Sequence, residues 1–237
     1  MSQRAACLAV IPARGGYKRI PGKSVRCLEG KPLVGHAVEA ALESDAFDRV
    51  IVTTESREMA EVARECGTDA PLPRDPSVSD GFAPWSTAPV DAHERLDPSG
   101  RAFTNVCQLM PTYPLRTAGD ILADYDQFVR TGAPSQVSVV RYGWQNPGWV
   151  VRRDERLILA SLFEDSATGP SQDLQELLWP TGVIWWAKAH ALHRERTYHM
   201  AGGTGWDSPR RRGVDIGTEA DREMARVLMN ATEPRTD

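Results

Sequence analysis

"CLAVIPARGGYKRIPGKS", residues 7–24, joins a short apolar run to a loop rich in glycine and basic residues. Residues 7–13 have the length and the flanks of a buried strand. Gly15 and Gly16 allow a ligand to approach the backbone closely, and Pro21-Gly22 favours a tight turn. A loop of this kind at the carboxyl end of a first strand is typical of α/β proteins that bind phosphate groups.

The loop is strongly basic although the chain as a whole is acidic. Residues 14–31 contain six lysine and arginine side chains and one acid, Glu29, which gives a local charge of +5 against a net charge of −4 for the chain. Because glycines and cations coincide at the end of a buried strand, we favour a triphosphate site over a solvated basic loop.

Two standard nucleotide-binding loops do not fit this stretch. Gly22-Lys23-Ser24 matches the end of a Walker loop, but Tyr17 stands where the first glycine of that loop belongs. A Walker loop must also open a helix, whereas Gly30 and Pro32 interrupt the residues that follow. The dinucleotide fingerprint G-x-G-x-x-G fails as well, because the glycine pair lacks a further glycine at the required spacing.

Strand and helix patterns alternate through the first part of the chain. The apolar run is followed by a helical pattern at 32–47, a β-branched strand at 49–55 and a second helical pattern at 56–66. Ser56 stands at the N-cap position of the second helix, and Gly67 closes it. This alternation predicts an α/β fold with a mostly parallel sheet that is covered by helices.

The later part of the chain continues this pattern and then changes. Residues 69–89 are rich in Pro, Asp, Ser and Gly and predict a loop. The further predicted elements are strands at 104–110, 135–142 and 182–188 and helices at 117–131 and 218–230. Five of the seven tryptophans lie between 143 and 200. We expect one domain over 1–230, with an inserted subregion at 142–205 and a frayed tail at 231–237.

Composition limits the classes of function. The chain has 237 residues, of which 41% are hydrophobic and 25% charged, so it can bury a sizeable core. A negative net charge gives no indication of nucleic-acid binding. The first apolar run is too short for a signal peptide or a membrane span, and no membrane partner is expected. The four cysteines are far apart in the sequence, which indicates a reduced, cytoplasmic protein.

Several stretches together resemble one enzyme family. The loop "IPARGGYKRIPGKS" resembles the signature of cytidylyltransferases that activate acidic sugars, the CMP-sialic acid synthetase (acylneuraminate cytidylyltransferase) family. Its pattern there is A-R-G-G-S-K-x-I-P-G-K-N after a strand. The order and spacing of further motifs agree from about residue 7 to 230. These motifs are "GKPLVGHAVEAALES", "FDRVIVTTESREMAEVA", "CQLMPTYPLRTAGDI", "SQDLQELLWPTGVIWWAK" and "GVDIG".

This resemblance implies a fold and a reaction. The fold would be that of the nucleotide-diphospho-sugar transferases, a Rossmann-like, mostly parallel sheet with helices on both faces and an inserted subregion that dimerises. The donor would be CTP, the acceptor an acidic sugar similar to sialic acid, and pyrophosphate would leave. Such chemistry depends on positioning and charge neutralisation more than on acid–base groups. Mg²⁺ would be the cofactor, and the enzyme would be a homodimer.

The same resemblance assigns residues to roles. Arg14, Lys18 and Lys23 would hold the phosphates as the catalytic cations. The nucleotide would also contact Ala13, Gly15, Gly16, Ser24, Arg74 and Asp80. The acidic sugar would contact Gln108, Arg116, Gln172 and Asp173, with the last two possibly supplied by a partner subunit. Asp215 would bind Mg²⁺.

Aromatic residues of the later part allow two interpretations. Trp144 and Asn146 are candidates for the sugar site, since aromatic walls commonly line sugar pockets, whereas core or interface packing is the alternative. For Trp185 and Trp186, which follow each other on a predicted strand, we favour packing in the core or at a dimer interface. The run Arg210–Arg212 precedes Asp215 and is as well suited to a phosphate or carboxylate partner as to solvent.

Four departures from the family pattern keep alternatives open. The asparagine that ends the family loop is Ser24, and the aspartate of the family's S-T-D is Glu55. The arginine before Q-D is absent, because Ser171 precedes Gln172, and the second aspartate of V-D-I-D is Gly217. CMP transfer to another acid, such as a phosphonate or a specialised-metabolite sugar, therefore remains possible. A catalytically degenerate homologue that only binds nucleotide or sugar is the third hypothesis.

Overall fold

The computed structural model describes residues 5–15, 22–71, 73–74, 84–143, 145–163 and 174–231. Ten strands lie within these ranges: β1 Cys7–Pro12, β2 Cys27–Leu28, β3 Lys31–Pro32, β4 Arg49–Thr53, β5 Asn105–Gln108, β6 Ser135–Arg141, β7 Val151–Arg153, β8 Leu159–Ser161, β9 Leu178–Lys188 and β10 Thr204–Asp207. The same ranges contain six α-helices: α1 Leu33–Glu43, α2 Arg57–Glu65, α3 Thr87–Leu96, α4 Ala118–Thr131, α5 Ala189–Glu195 and α6 Glu219–Asn230. None of these helices is long and apolar enough to cross a membrane.

Six strands form one mixed sheet in the order β10-β6-β9-β5-β1-β4. Only β9 runs antiparallel to its neighbours, β5 and β6, whereas β1 pairs in parallel with β4 and β5. The carboxyl ends of β1, β4 and β5 therefore meet at one edge of the sheet, which we call the carboxyl edge. The predicted mostly parallel α/β fold is confirmed.

Helices bury both faces of the sheet. Helices α1, α2 and α4 cover one face, where Trp186 packs against Phe47, Tyr125 and Phe128. Helices α3 and α5 cover the other face, where Trp185 packs with Val10 and other apolar side chains. Trp185 and Trp186 are buried, so of the predicted core or interface packing the structure shows the core position, whereas Trp179 at the start of β9 is exposed. Alternation along a strand explains why two consecutive tryptophans fill two different cores.

The helix ends follow the capping residues read from the sequence. The Ser56 hydroxyl accepts a hydrogen bond from Met59 N at 3.3 Å and begins α2. Gly67 has φ 91°, a backbone conformation that favours glycine after a helix. Thr117 and Asp120 form a capping box at the start of α4. Local chemistry therefore sets these boundaries.

Two elements differ from the sequence-based expectation. Helix α3 begins at Thr87, inside the stretch 69–89 that the composition predicts to be a loop. Its Pro89 lies in the first turn, where the backbone N–H has no helical partner to lose, so the proline is tolerated. Strand β9 is longer than predicted because it starts at Leu178 rather than at 182.

The position of β9 also bears on the predicted subregion 142–205. Because β9 lies between β5 and β6 in the main sheet, the described residues that leave the sheet after β6 are 142–143, 145–163 and 174–177, which we call the arm. The arm carries the β7–β8 hairpin and many exposed apolar side chains. The division of 1–230 into a domain and a subregion stays a prediction, and residues 232–237 of the predicted tail lie outside the described residues.

Candidate active site

The basic loop leaves β1 at the carboxyl edge and is tied at once to β4. Ala13 N donates to Thr53 O at 3.0 Å, and Gly15 N donates to Glu55 Oε1 at 2.8 Å. A Cβ atom on Gly15 would lie 3.0 Å from the Cβ of Ser56, so a larger residue would push the loop away from α2. Glu55, which replaces the family aspartate, thus has a structural role that the sequence did not reveal.

Arg74 lies at the same edge. Its side chain is buried, and its guanidinium donates to Thr53 O at 2.5 Å through a terminal nitrogen. Arg74 N donates to Thr54 O at 2.9 Å, so the residue is anchored to the end of β4 from both sides. This places Arg74 beside the predicted nucleotide loop. The predicted site residues Gly16, Lys18 and Asp80 lie outside the described residues.

Lys23 and Ser24 lie in a single 3-10 turn, Lys23–Val25, after which the chain enters β2. No α-helix begins there, which agrees with the rejection of a Walker loop. Lys23 is 8% exposed, and its ammonium donates to Ile216 O at 2.5 Å. Ser24 is buried and its hydroxyl has no hydrogen-bond partner within the described part of the chain.

The segment "VDIG" (214–217) reaches the carboxyl edge from the other end of the chain. Ile216 N donates to Thr112 O at 2.9 Å, which fixes the segment to the loop after β5. Burial raises the pKa of Tyr113 to about 12, and the nearby charge of Asp215 contributes to this rise. Lys23 and Ile216 are 193 positions apart in sequence, yet their contact joins the basic loop to the residue beside Asp215.

Asp215 suits a Mg²⁺ ligand in chemical terms. Its carboxylate is exposed and has no hydrogen-bond or ion-pair partner among the described residues. No group of three His, Cys, Asp or Glu side chains that could enclose a metal occurs in those residues. Mg²⁺ commonly uses one or two protein carboxylates, with phosphate oxygens and water as the other ligands. A single Asp215 therefore fits a metal that binds together with a triphosphate.

Gly217 stands where the family has a second aspartate. Its φ lies outside the left-handed region, so the backbone conformation itself does not oppose a side chain there. Gly217 N donates to Asp221 Oδ2 at 3.0 Å, and Thr218 with Asp221 forms the capping box of α6. The segment is thus held by the helix that follows it.

Gln108 occupies the last position of β5, next to the predicted phosphate site. It is 1% exposed, and neither its amide oxygen nor its amide nitrogen has a hydrogen-bond partner in the described structure. It lies directly opposite Trp185 of β9. A buried amide without a protein partner is uncommon in folded proteins, and such a group is satisfied by water or by a ligand.

Arg116 is buried, unlike an arginine that is exposed to solvent and available to a substrate. Its guanidinium is buried and donates to the carbonyls of Val183 and Met110. Burial lowers the pKa of Arg116 to about 10. These contacts favour a structural role that ties the loop after β5 to β9, and its contact with the sugar stays a prediction.

The remaining sugar candidates lie toward the arm. The Asn146 side chain accepts a hydrogen bond from Gly148 N at 2.8 Å and caps a short 3-10 turn. Asn146 also lines a cavity of about 480 Å³ together with Tyr142, Trp149 and Glu176. The other three candidates, Trp144, Gln172 and Asp173, lie outside the described residues.

The basic run before Asp215 has at least one internal partner. Arg212 Nε lies 3.0 Å from Asp120 Oδ2, and both side chains are largely buried. The sequence analysis predicted a phosphate or a carboxylate as the partner of this run. Asp120 is such a carboxylate, and it lies within the chain. It fixes the turn Arg210–Gly213 against the start of α4.

Comparisons with known proteins agree with this arrangement. A family model described as cytidylyltransferase matches residues 8–93. The pseudaminic acid cytidylyltransferase of Campylobacter jejuni is 28% identical over 222 residues, which cover 93% of this chain and 95% of that protein. The CMP-N,N'-diacetyllegionaminic acid synthase of Legionella pneumophila is 34% identical over 160 residues, 67% of this chain and 68% of that protein.

Solved structures show the same fold. A CMP:2-keto-3-deoxy-manno-octonic acid synthetase complexed with CTP superimposes with a TM-score of 0.69 at 18% identity, covering 95% of this chain and 98% of that chain. This structural similarity shows the fold alone, whereas the relatives that are similar in sequence show the family. The chain belongs to the family of cytidylyltransferases that includes the synthases of CMP-linked nonulosonic acids.

Proposed function

We propose that this protein transfers CMP from CTP to a hydroxyl group of a sialic-acid-like nonulosonic acid and releases pyrophosphate. The family and the names of the relatives support a CTP-dependent cytidylyltransferase with an acceptor of this class. The observation that carries most weight is the contact of Lys23 with Ile216 O at 2.5 Å. It brings the basic glycine loop and the Asp215 segment to one edge of the sheet, where a triphosphate needs both cations and a metal ligand.

The reaction follows from charge and position. The acceptor hydroxyl attacks the α-phosphorus of CTP and forms a new P–O bond, while the bond to the β-phosphate breaks and pyrophosphate leaves. The hydroxyl proton passes to solvent or to a nearby base. Arg14, Lys18 and Lys23 neutralise the charge that develops on the phosphate oxygens, and the Gly15 backbone allows the triphosphate to lie close to the loop.

We assign the metal to Asp215. Mg²⁺, when bound, would draw the phosphate oxygens together and neutralise part of their charge. Asp215 would supply one carboxylate to the metal, and because Gly217 has no side chain this segment would supply no second one. Because one anionic ligand is lost, we expect a weak apparent affinity for Mg²⁺.

We also propose a homodimer that forms through the arm. Exposed apolar side chains concentrate on this segment, namely Val150, Val151, Leu157, Ile158, Leu159, Leu162 and Phe163. An exposed apolar surface of this kind commonly marks a protein–protein interface. Light scattering should give twice the chain mass of 26.1 kDa, and a monomer at micromolar concentration would contradict the proposal.

A cytoplasmic location completes the proposal. None of the four cysteines, Cys7, Cys27, Cys66 and Cys107, forms a disulfide within the chain, which supports a reducing compartment. CTP is available in the same compartment.

The test is pyrophosphate release with CTP and a panel of acids, with the CMP-linked product identified by mass. The panel contains N-acetylneuraminic acid, pseudaminic acid, N,N'-diacetyllegionaminic acid, 2-keto-3-deoxy-manno-octonic acid and a simple phosphonate. Turnover with a nine-carbon acid supports the proposal. Turnover only with the phosphonate would support the alternative acceptor, and CTP binding without any turnover would support the degenerate homologue.

A further inference from the structure

Two elements that lie outside the six-stranded sheet stand next to the candidate site. The β2–β3 pair follows the 3-10 turn that contains Lys23, and α6 follows the segment that contains Asp215. The distance between the phosphate-binding cation and the proposed metal ligand therefore depends on how α6 packs against the residues around β2.

A small apolar cluster joins these two elements. Leu28 and Leu33 pack with Ile216 and Ala225, and all four side chains are buried. Ile216 is the direct neighbour of Asp215 in the sequence. Because the burial of apolar surface is not directional, this cluster holds α6 against the loop but does not by itself fix the position of the helix.

Polar contacts across the same boundary are directional. The Arg222 guanidinium donates to Cys27 O at 2.6 Å through a terminal nitrogen. Glu219 pairs with Arg26 of the loop and lies 3.4 Å from the Arg222 guanidinium of its own helix. Hydrogen bonds depend on angle as well as distance, and an ionised partner strengthens them. We call these three side chains, together with Cys27 O, the loop–helix network.

On the loop side, the network is attached to a backbone that has its own support. Arg26 is the C-cap residue of the turn that contains Lys23. Leu33 N donates to Arg26 O at 3.1 Å, which ties this turn to the start of α1, a helix that is packed on the main sheet. If the network were lost, we therefore expect α6 to shift rather than the loop.

On the helix side, a shift of α6 would be transmitted to Asp215. Glu219, the first residue of α6, is only four positions after Asp215. The residues between them are bound to the helix, because Asp221 Oδ2 accepts hydrogen bonds from Gly217 N at 3.0 Å and from Thr218 N at 2.7 Å. The segment that contains the proposed metal ligand and the first turn of α6 thus form one connected unit.

We propose that Arg222 is a positioning residue for the metal site. Through Cys27 O and Glu219 it holds α6 against the basic loop, and it thereby keeps the Asp215 carboxylate where a metal can bind it and the triphosphate together. The inference rests on the proposed function, because Asp215 and the triphosphate are parts of that site. Arg222 acts through Asp215 and needs no contact of its own with substrate or metal.

Arg222→Ala is the direct test, and its first measurement is CTP binding by calorimetry with and without Mg²⁺. The gain in CTP affinity that Mg²⁺ gives the wild type should fall about fivefold, as suits a charge-assisted hydrogen bond that is partly exposed to solvent. Metal-free CTP affinity should change less than about twofold, since the loop keeps its own support. The Mg²⁺ concentration for half-maximal pyrophosphate release should rise by the same factor as the binding gain falls, while the KM for the acid stays unchanged.

Two further variants serve as controls. Arg222→Lys keeps a cation that can donate to Cys27 O and should recover most of the Mg²⁺ effect. Arg226→Ala removes the arginine one turn later on the same helix, whose Nε donates to Glu223 of α6 at 3.0 Å, and should leave the Mg²⁺ effect unchanged. Thermal unfolding of each variant reports on the fold independently of activity.

The outcomes separate the inference from the proposed function. If Arg222→Ala lowers the unfolding temperature but keeps the full effect of Mg²⁺ on CTP binding, Arg222 has only a structural role and the inference is wrong. Equal losses in Arg222→Ala and Arg226→Ala would also overturn it, as would a wild type whose CTP affinity does not respond to Mg²⁺. If the Mg²⁺ effect is present in the wild type and lost in Arg222→Ala, but no acid of the panel receives CMP, the proposed function is rejected and the positioning role is supported.

Discussion

Gln108 and Gln136 lie on the two strands that flank β9, each directly opposite a tryptophan, and both are essentially inaccessible to solvent. Their surroundings differ completely. The Gln136 amide nitrogen donates to Asp124 O at 2.7 Å and to Asp124 Oδ1 at 2.5 Å, and its oxygen accepts from Gln127 and Thr204. Gln108 has no hydrogen bond within the described residues. Gln136 therefore takes part in an internal hydrogen-bond network, whereas the amide groups of Gln108 form no hydrogen bond within the described residues.

The same contrast extends to charged residues. At the carboxyl edge, Asp215 presents an exposed carboxylate without an internal hydrogen bond or ion pair in the described structure, whereas Asp124 is buried in the network under α4. At the edge, Gln108 and Asp215 therefore keep polar groups without an internal hydrogen bond, whereas most polar groups around Gln136 hold β6, β10 and α4 together, although Asp124 Oδ2 has no hydrogen-bond partner in the described structure. This difference is the expected trade between a binding site and a folded core.

The largest effect is expected at Asp215. Asp215→Ala should abolish turnover, because the only proposed protein carboxylate for Mg²⁺ is removed, while metal-free CTP binding and the unfolding temperature should stay close to wild type. Gly217→Asp should have the opposite effect and lower the Mg²⁺ concentration needed for half-maximal rate, since its backbone allows a side chain. Pyrophosphate release measured against Mg²⁺ concentration checks both. If Asp215→Ala still turned over, or if a chelator did not lower the rate of the wild type, the proposed role of Mg²⁺ would be wrong.

A second comparison uses two lysines that donate to carbonyls. Lys23 Nζ donates to Ile216 O at 2.5 Å at the edge, and Lys188 Nζ donates to Gly132 O at 2.6 Å away from it. Lys23→Ala should lower kcat/KM at least tenfold, since a charge-assisted contact contributes about 1.5–3 kcal/mol. Lys188→Ala should leave the rate within about twofold. Equal rates for the two variants would contradict the assignment of the loop.

A further effect concerns stability rather than activity, through Asp124 and pH. Burial raises the pKa of Asp124 well above its ordinary value, partly offset by the hydrogen bond from Gln136. The folded protein therefore favours the protonated carboxyl, whose stability contribution is complete below the unfolded pKa of about 3.9 and declines as pH rises toward the folded value. Asp124→Asn should remove this decline, so that its stability relative to wild type increases by up to about 1.4 kcal/mol per pH unit above pH 4. Denaturant unfolding between pH 5 and 8 gives the measurement. A pH-independent difference would mean that Asp124 is ionised in the fold.

Much of the fold followed from local patterns in the sequence. The strand at 7–13, the N-cap Ser56 and the capping residue Thr117 were predicted correctly because they depend on neighbours within a few positions. Helix α3 was missed, since Pro89 and the polar stretch before it suggest a loop, and only packing against β1 and β5 makes the helix favourable.

Less of the site than of the fold could be predicted from the sequence. The basic loop could be identified from its glycines and charges, and the resemblance named Gln108, Arg116 and Asp215. The sequence could not show that the Arg116 guanidinium binds carbonyls while Gln108 lacks partners, because these facts depend on contacts between distant strands.

The most direct test of the contrast is a crossed measurement on Gln108→Leu and Gln136→Leu. Each variant is assayed for unfolding free energy and for kcat/KM with the preferred acid. Gln136→Leu should lose about 2–4 kcal/mol of stability and keep the activity of its folded fraction, because its partners are left buried and unpaired. Gln108→Leu should be neutral or up to about 1 kcal/mol more stable, yet lose at least tenfold in kcat/KM for the acid. If Gln108→Leu were instead as destabilised as Gln136→Leu and fully active when folded, the claim that the carboxyl edge keeps its polar groups for a ligand would be wrong.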